Sequence, residues 1–218
     1  MIPGDDPAWA GAALYSQRNL RVYDLTLAIN CRALWRCSRR HLVELYDGRV
    51  SGRHLDIGVA TGWLLDTCRF PVTQPAITLM DLNPDTLAAA SARLIRYRPQ
   101  VHQANVLEPF GLPEGAFDSV AMSMLLHCVP GAMPAKAVAF EHARSVLKPG
   151  GMLFGATILN GGVLHTSLSR RAMGAFNRKG HFDNLGDNLD DLAAGMQRVS
   201  NDVELRVVGT VALFSARI

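Results

Sequence analysis

The segment Asp56–Gly62 combines an acid with small residues at alternate positions, namely Gly58, Ala60 and Gly62. It overlaps the end of an apolar run, His54–Val59, that predicts a β-strand, and a helical pattern follows it. Residues without large side chains let a ligand approach the backbone closely. The spacing differs from the GxGxxG pattern whose amides receive a pyrophosphate, and the preceding carboxylate favours a positively charged ligand instead. The alternative is a tight turn that binds nothing.

A second carboxylate, Asp81, comes 25 residues after Asp56, at the end of the predicted strand Ala76–Leu82. A carboxylate at this place can accept two hydrogen bonds from the vicinal hydroxyls of a ribose. Nicotinamide enzymes use an acid at a similar spacing, so Asp81 and the adjacent Leu82 predict an adenosyl ligand of unspecified kind. The alternative is an acid stabilised by the dipole of the helix that Asn83-Pro84-Asp85 begins.

The third predicted strand, Val101–Val106, contains an amide, Asn105, next to its last residue. An amide can pair with the donor and acceptor edge of adenine, and Val106 can pack on the face of that ring. An Asx-type turn explains Asn105 equally well.

Two histidines are candidates for proton transfer. The fourth predicted strand, Asp118–Met124, is followed by His127, whose imidazole suits a general base for a hydroxyl, thiol or amine. The competing interpretation is a histidine that packs against or caps the turn before Val129. His165 is a second candidate, with an exposed helix position as its alternative.

The elements that carry these residues predict an α/β fold. Strand patterns alternate with helical patterns up to the fifth strand, Met152–Leu159, which indicates a parallel sheet covered by helices on both faces. Two further strand patterns, Val203–Val208 and Thr210–Arg217, are separated only by Gly209 and must pair antiparallel. We therefore predict a Rossmann-like doubly wound sheet, mostly parallel, with a C-terminal antiparallel β-hairpin and an N-terminal helical cap.

The amino-acid composition limits the classes of partner that we expect this protein to bind. The formal net charge is +3 with the basic residues scattered, which argues against a nucleic-acid surface. The four cysteines form no CxxC pair, and neither a signal peptide nor an apolar run of about 18 residues is evident. We expect a cytoplasmic protein with reduced thiols, monomeric or homodimeric, that binds a small molecule and neither nucleic acid nor a membrane.

Taken in order, these motifs resemble those of a class I S-adenosylmethionine-dependent methyltransferase. The ordered set also contains Phe117-Asp118-Ser119-Val120, Leu147-Lys148-Pro149-Gly150-Gly151 and the terminal hairpin, so the resemblance covers roughly residues 50–160 and 203–218. It implies S-adenosylmethionine as the cofactor and transfer of its methyl group to an O, N, S or C atom of a metabolite. The ammonium and sulfonium of this cofactor suit the acid before the turn.

The resemblance also implies roles for single residues. Asp56 and the small-residue turn would hold the methionine part of the cofactor, Asp81 the ribose, and Asn105 with Val106 the adenine. Further cofactor contacts by position are Leu82 and Ser123. An aromatic from the N-terminal segment often closes over the cofactor, and the candidates are Tyr15 and Tyr23, with packing in an amphipathic helix as the alternative.

Some positions depart from the family pattern. Ala60 replaces its middle glycine, and Asn105 stands where aspartate is common. Metal-dependent catechol-type members carry an aspartate at the end of the fourth strand and an Asp-Asn pair after the fifth. Ser123 and the lone Asn160 do not reproduce that set, so we predict no metal.

We predict a single methyltransferase domain over residues 1–218. Its parts are a helical cap (1–50), a cofactor-binding core (51–159), an insertion (160–202) and the C-terminal hairpin (203–218). So long an insertion is usually functional or disordered, and we expect it to set substrate selectivity, with Phe176, His181 and Phe182 lining the pocket. The alternatives to a methyltransferase are a non-catalytic S-adenosylmethionine-binding partner subunit and an NAD(P)-dependent oxidoreductase.

Overall fold

The computed structural model describes the backbone of residues 17–218 and the side chains of residues 24–218. Its strands are β1 (Arg53–Ile57), β2 (Ala76–Asp81), β3 (Gln100–Gln103), β4 (Phe117–Ser123), β5 (Leu147–Ile158), β6 (Asp202–Val208) and β7 (Val211–Arg217). In these residues they form a seven-stranded sheet in the order β3-β2-β1-β4-β5-β7-β6. Strands β1 to β5 pair in parallel, and β7 lies antiparallel between β5 and β6. The predicted fold class is confirmed.

Helices surround this sheet. They are α1 (Gln17–Ala33), α2 (Arg39–Asp47), α3 (Trp63–Thr67), α4 (Pro84–Arg93), α5 (Met133–Lys136), α6 (Val138–Val146), α7 (Ser167–Arg178) and α8 (Leu189–Gln197). Helix α4 begins as its sequence predicts, because the side chain of Asn83 accepts a hydrogen bond from the Asp85 amide at 2.8 Å and Pro84 occupies the first turn. No helix among residues 17–218 is both long and apolar enough to span a bilayer.

The two faces of the sheet are covered by different helices. Side chains of a strand alternate between faces, so Leu55 and Ile57 of β1 pack in one apolar cluster with α6 and α8. On the other face Leu79 of β2 and Ala121 of β4 pack with α2, α3 and α4. Burial on both faces explains why these strands read as nearly continuous apolar runs.

The start of β5 differs from the predicted start at Met152. The strand begins at Leu147, which pairs with Phe117, and the next pairing joins Met152 to Ser119. Residues 148–151 therefore bulge out of the ladder, and Gly150 adopts a φ of 79° within the bulge. The proline and glycines that predict a turn produce this interruption inside one strand.

The insertion is anchored to the body of the protein by a buried ion pair. The Nζ of Lys136, at the end of α5, donates to Asp187 Oδ2 at 2.7 Å and to the Asp183 carbonyl at 2.6 Å. Both charged side chains are fully buried. Asn184 adds a hydrogen bond from its Nδ2 to the carbonyl of Ile158 at 2.9 Å. These contacts fix residues 183–187 against the carboxyl end of β5.

Candidate active site

A cavity opens at the carboxyl ends of β1, β2 and β4, where the strand order reverses between β1 and β4. Ligands of open α/β sheets bind in the crevice at such a switch point. The predicted cofactor residues on its wall are Asp56, Gly58, Ala60, Gly62, Asp81, Leu82, Asn105, Val106 and Ser123. The structure thus brings together all the predicted cofactor residues whose side chains it describes. Tyr15 and the side chain of Tyr23 lie outside the described residues, so the aromatic lid stays a prediction.

The turn after β1 explains the alternation of small residues. Gly58, Ala60 and Gly62 have φ values of 75°, 46° and 72°, in the left-handed region that glycine adopts without strain. A Cβ atom at Gly58 would lie 2.9 Å from the Leu125 side chain. Ala60 occupies a left-handed position as an L-residue, which costs about 1–2 kcal/mol. The turn therefore needs glycine at Gly58 for space and conformation, and tolerates one methyl group at Ala60.

Asp56 is held at the end of β1 by two partners. The Tyr46 hydroxyl donates to Asp56 Oδ2 at 2.8 Å, and His54 Nε2 lies 3.4 Å from the same oxygen. The other ring nitrogen of His54 lies 2.8 Å from Ser119 Oγ, which fixes the imidazole. Burial, reinforced by Asp56, raises the pKa of Tyr46 well above its usual range, so this phenol stays a hydrogen-bond donor. Sequence reasoning missed Tyr46, which comes from α2.

Asp81 carries a perturbed carboxyl group at the end of β2. Burial raises the pKa of Asp81 to about 6, and hydrogen bonds from backbone amides, including that of Asn83 at 2.9 Å, oppose the shift. The group is therefore mostly ionised at neutral pH but titrates close to it. An ionised carboxylate has the capacity to accept hydrogen bonds from two neighbouring hydroxyl groups.

The Asn105 side chain stabilises the turn in which it lies and also lines the cavity. Its Oδ1 accepts a hydrogen bond from the Leu107 amide at 3.0 Å, which is the Asx-turn arrangement considered as the alternative. A carbonyl oxygen has two lone pairs, so the same atom can still accept from an exocyclic amine. Val106 and Leu82 flank it as apolar neighbours on the wall.

The position of His127 gives no support to the prediction that it acts as a general base. The side chain is 3% exposed, does not line the cavity, and packs edge-on against Phe182 at 4.5 Å between ring centroids. Its Nδ1 accepts a hydrogen bond from the Ile158 amide at 3.4 Å. Burial, with a smaller effect of Lys136, lowers the pKa of His127 to about 3. The competing interpretation, a packed histidine, is the one the structure supports.

His165 is likewise placed away from the cavity wall. Its Nε2 lies 3.1 Å from the carbonyl of Asn160 and its Nδ1 lies 3.3 Å from Ser169 Oγ. Both ring nitrogens of His165 thus contact the loop before α7 or the first turn of α7. At this end of the helix, the Thr166 side chain caps α7 by accepting a hydrogen bond from the Ser169 amide. This position likewise gives no support to the catalytic role predicted for His165.

The aromatic residues of the insertion do not line the cavity as predicted. Phe176 and Phe182 stack at 4.8 Å, and both contact Trp35, at 5.8 and 5.7 Å between centroids. His181 packs against Phe176 at 5.6 Å. These residues join the insertion to the segment between α1 and α2, and they support the cap instead of contacting a ligand on the described wall.

The remaining wall is mainly apolar. Its apolar residues include Leu27, Leu64, Met124, Leu125 and Val129, and its polar residues include Asp24, Tyr46, Thr61 and Thr86. Asp24 and Leu27 come from α1. Met124 adopts a φ of 57°, and its amide donates to the carbonyl of Ala156 at 2.7 Å, which turns the chain sharply at the end of β4. The described residues contain no group of three or more His, Cys, Asp or Glu side chains arranged to hold a metal ion.

The donor set of the cavity fits S-adenosylmethionine. Carboxylates at the ends of β1 and β2 match a cationic amino-acid portion and a ribose diol, respectively. Apolar Leu82 and Val106 match the faces of an adenine ring. Gly58, Ala60 and Gly62 line the cavity and carry at most a methyl group, which favours contact between a ligand and the backbone of the turn.

Comparison with known proteins gives the same family. The profile of a family described as a methyltransferase domain matches residues 55–153. The chain is 44% identical over 207 residues to the demethylluteothin O-methyltransferase of Streptomyces thioluteus, covering 94% of this chain and 90% of that protein. It is 35% identical over 218 residues to the physcion biosynthesis cluster O-methyltransferase of Aspergillus chevalieri, covering 99% of this chain and 98% of that protein.

A solved structure shares the fold. The Haemonchus contortus phosphoethanolamine N-methyltransferase 2, in complex with phosphomonomethylethanolamine and S-adenosylhomocysteine, superposes with a TM-score of 0.67 at 16% identity. The alignment covers 88% of this chain and 44% of that chain, so this chain spans less than half of that protein. The identity of 44% to a relative of nearly equal length carries the assignment. The chain belongs to the class I S-adenosylmethionine-dependent methyltransferases of the small-molecule type, and S-adenosylmethionine is its cofactor.

Proposed function

We propose that the protein methylates a hydroxyl oxygen of a small organic molecule without the help of a metal ion. The observation that carries this proposal is a single cavity lined both by carboxylates, Asp56 and Asp81, and by apolar side chains that include Met124, Leu125 and Val129. In this proposal the carboxylates form the polar end, which holds the cofactor, and these apolar side chains form the apolar end, which holds an acceptor with a hydrocarbon frame. Both curated relatives described above are O-methyltransferases.

In this proposal the residues of the polar end bind and orient the cofactor. Asp56, fixed by Tyr46, attracts the ammonium of the methionine portion. Asp81 accepts hydrogen bonds from the ribose hydroxyls, and Asn105 with Val106 contacts the adenine. When bound, S-adenosylmethionine supplies an activated methyl group on a sulfonium, which transfers by in-line displacement. The protein then contributes alignment and the exclusion of water.

The placement of the histidines favours one class of acceptor. His127 and His165 are not among the residues that line the cavity, and in this proposal neither takes the proton of the acceptor. A phenol or an enol loses its proton near neutral pH far more readily than an aliphatic alcohol. We therefore propose an acceptor with an acidic hydroxyl on an apolar ring, whose oxygen attacks as the anion.

A matched acceptor panel tests this proposal. Phenols, anilines and thiophenols with the same ring substituents are incubated with the enzyme and S-adenosylmethionine, and the products are identified by mass spectrometry. We expect methyl ethers from the phenols, a rate that rises with the ionised fraction of each phenol, and no loss of rate with EDTA. Products from anilines alone would refute the hydroxyl assignment, and inactivation by EDTA that added Mg²⁺ reverses would refute metal independence.

A further inference from the structure

We propose that Asp24 and Arg93 form a latch that holds helix α1 against the turn Asp56–Gly62, here called the cofactor turn. This latch sets the rate at which the cofactor dissociates. Helix α1 contributes Asp24 and Leu27 to the cavity wall. The proposal rests on the assignment of this cavity to S-adenosylmethionine.

The latch is a closed network of three side chains from three different elements. Arg93 Nη2, at the last residue of α4, donates to Asp24 Oδ2 at 2.7 Å. Thr61, the next-to-last residue of the turn Asp56–Gly62, donates from its hydroxyl to Asp24 Oδ1 at 2.6 Å. Arg93 Nη1 donates to the same Thr61 hydroxyl at 3.0 Å. Both oxygens of Asp24 are therefore bound, one by a cation and one by the turn itself.

The environment makes this network stronger than a typical surface ion pair. The side chains of Arg93 and Asp24 are 30% and 26% exposed, so water screens their charges only in part. A hydrogen bond to an ionised group is roughly twice as strong as one between neutral groups. Thr61 is 5% exposed and lines the cavity, which makes the latch continuous with the binding site.

A second set of contacts joins the same turn of α1 to the cavity wall. Arg39, the first residue of α2, donates from Nη1 to the backbone carbonyl of Asp24 at 3.1 Å. Its guanidinium also lies 3.9 Å from the ring centroid of Trp63, which lines the cavity. One side of α1 is exposed at Leu25 and Ile29, which are 67% and 56% exposed, whereas Leu27 and Cys31 pack in an apolar cluster. The polar contacts at Asp24 therefore add to this packing and join α1 to the turn.

These observations assign positioning roles to Asp24 and Arg93. With the latch formed, α1 closes one side of the cavity and Thr61 is fixed within the turn. With the latch broken, α1 separates from the turn and the cofactor leaves faster.

Stopped-flow fluorescence measures the dissociation rate of S-adenosylhomocysteine, with Trp63 as an intrinsic probe in the cavity wall. We expect Arg93→Met and Asp24→Asn each to raise this rate about tenfold, and the double variant to be no faster than either single variant. Arg93→Lys keeps the charge and should recover part of the effect. The matched control is Arg96→Met, which removes an exposed pair with Asp66 away from the cavity and should leave the rate unchanged.

Several outcomes would overturn the latch. One is a dissociation rate within twofold of wild type in a folded Arg93→Met protein, and another is simple addition of the two single effects. The wild-type enzyme supplies an independent test, because the rate must rise between 0.05 and 0.5 M salt, on the order of threefold, if an ion pair limits release. A salt-independent rate refutes the proposal even if a variant fails to fold. The variant Asp81→Ala distinguishes failure of the latch from failure of the cofactor assignment. Unchanged affinity of this variant for S-adenosylhomocysteine would refute the cofactor assignment of the cavity.

Discussion

The raised pKa of Asp81 predicts that cofactor affinity depends on pH just below neutrality. Only the ionised carboxylate accepts both hydroxyl hydrogen bonds of a ribose diol. With a pKa of about 6, the competent fraction is about 90% at pH 7 and about 9% at pH 5. The apparent Kd of S-adenosylhomocysteine should therefore rise about tenfold between pH 7 and pH 5. Binding near pH 6 should also release protons to the buffer.

The raised pKa of Asp81 also predicts that its ionised carboxylate destabilises the free protein, although the same carboxylate favours cofactor binding. The pKa of Asp81 is raised above its unfolded value of 3.8, so the folded protein binds this proton more tightly than the unfolded chain does. Asp81 therefore destabilises the free protein at pH above about 6, and this penalty disappears as the pH falls from 6 toward 3.8. Asp81→Asn should stabilise the free protein at pH 7.5 by roughly 1–3 kcal/mol while weakening cofactor binding at least tenfold.

Titration calorimetry at pH 7.5, 6 and 5 measures the affinity, and thermal unfolding of the free protein measures the stability. Asp118→Asn is a suitable control, because Asp118 pairs with Lys148 at the opposite end of β4 and should leave the wild-type pH profile intact. A wild-type Kd that stays constant from pH 7.5 to 5 in folded protein would refute the reasoning. So would a tenfold pH dependence that persists in Asp81→Asn.

Three other substitutions test the geometry around the cavity and the insertion. Tyr46→Phe removes the hydrogen bond to Asp56 with little change of volume, and calorimetry should show about tenfold weaker cofactor binding with a loss of about 1–3 kcal/mol in urea unfolding. Lys136→Met leaves Asp187 buried without its cation and should cost about 3–5 kcal/mol in urea unfolding, most of it recovered when Asp187→Leu is added. Ala60→Gly relieves a left-handed alanine but adds freedom to the unfolded chain, so Tm should change by a few degrees at most and Kd by less than twofold. A tenfold weaker Kd in Ala60→Gly would show that this methyl group contacts the cofactor.

The sequence predicts the sheet and one wall of the cavity because both follow from local pattern. Parallel strands align their carboxyl ends at one edge, so polar residues that follow them, such as Asp56, Asp81 and Asn105, converge without any knowledge of long-range packing. The φ values of Gly58 and Gly62 likewise follow from residue type, since the turn needs left-handed positions.

The opposite wall was not predictable in this way. Tyr46 and Asp24 reach the cavity from α2 and α1, and the orientation of a helix relative to the sheet depends on packing between segments far apart in sequence. His127 follows β4 at a position suited to catalysis, but the one-turn helix at Leu126–Cys128 directs its ring toward Phe182. Phe176 and Phe182 are apolar enough for a pocket, yet their contact with Trp35 places them in a core cluster.

A crystal structure of the protein with S-adenosylhomocysteine bound tests the central claim most directly. We expect the ribose hydroxyls within hydrogen-bonding distance of Asp81, the ammonium beside Asp56, and the adenine between Leu82 and Val106. The sulfur should then face the apolar wall at Met124. A ligand bound elsewhere, or one whose ribose does not contact Asp81, would contradict the account.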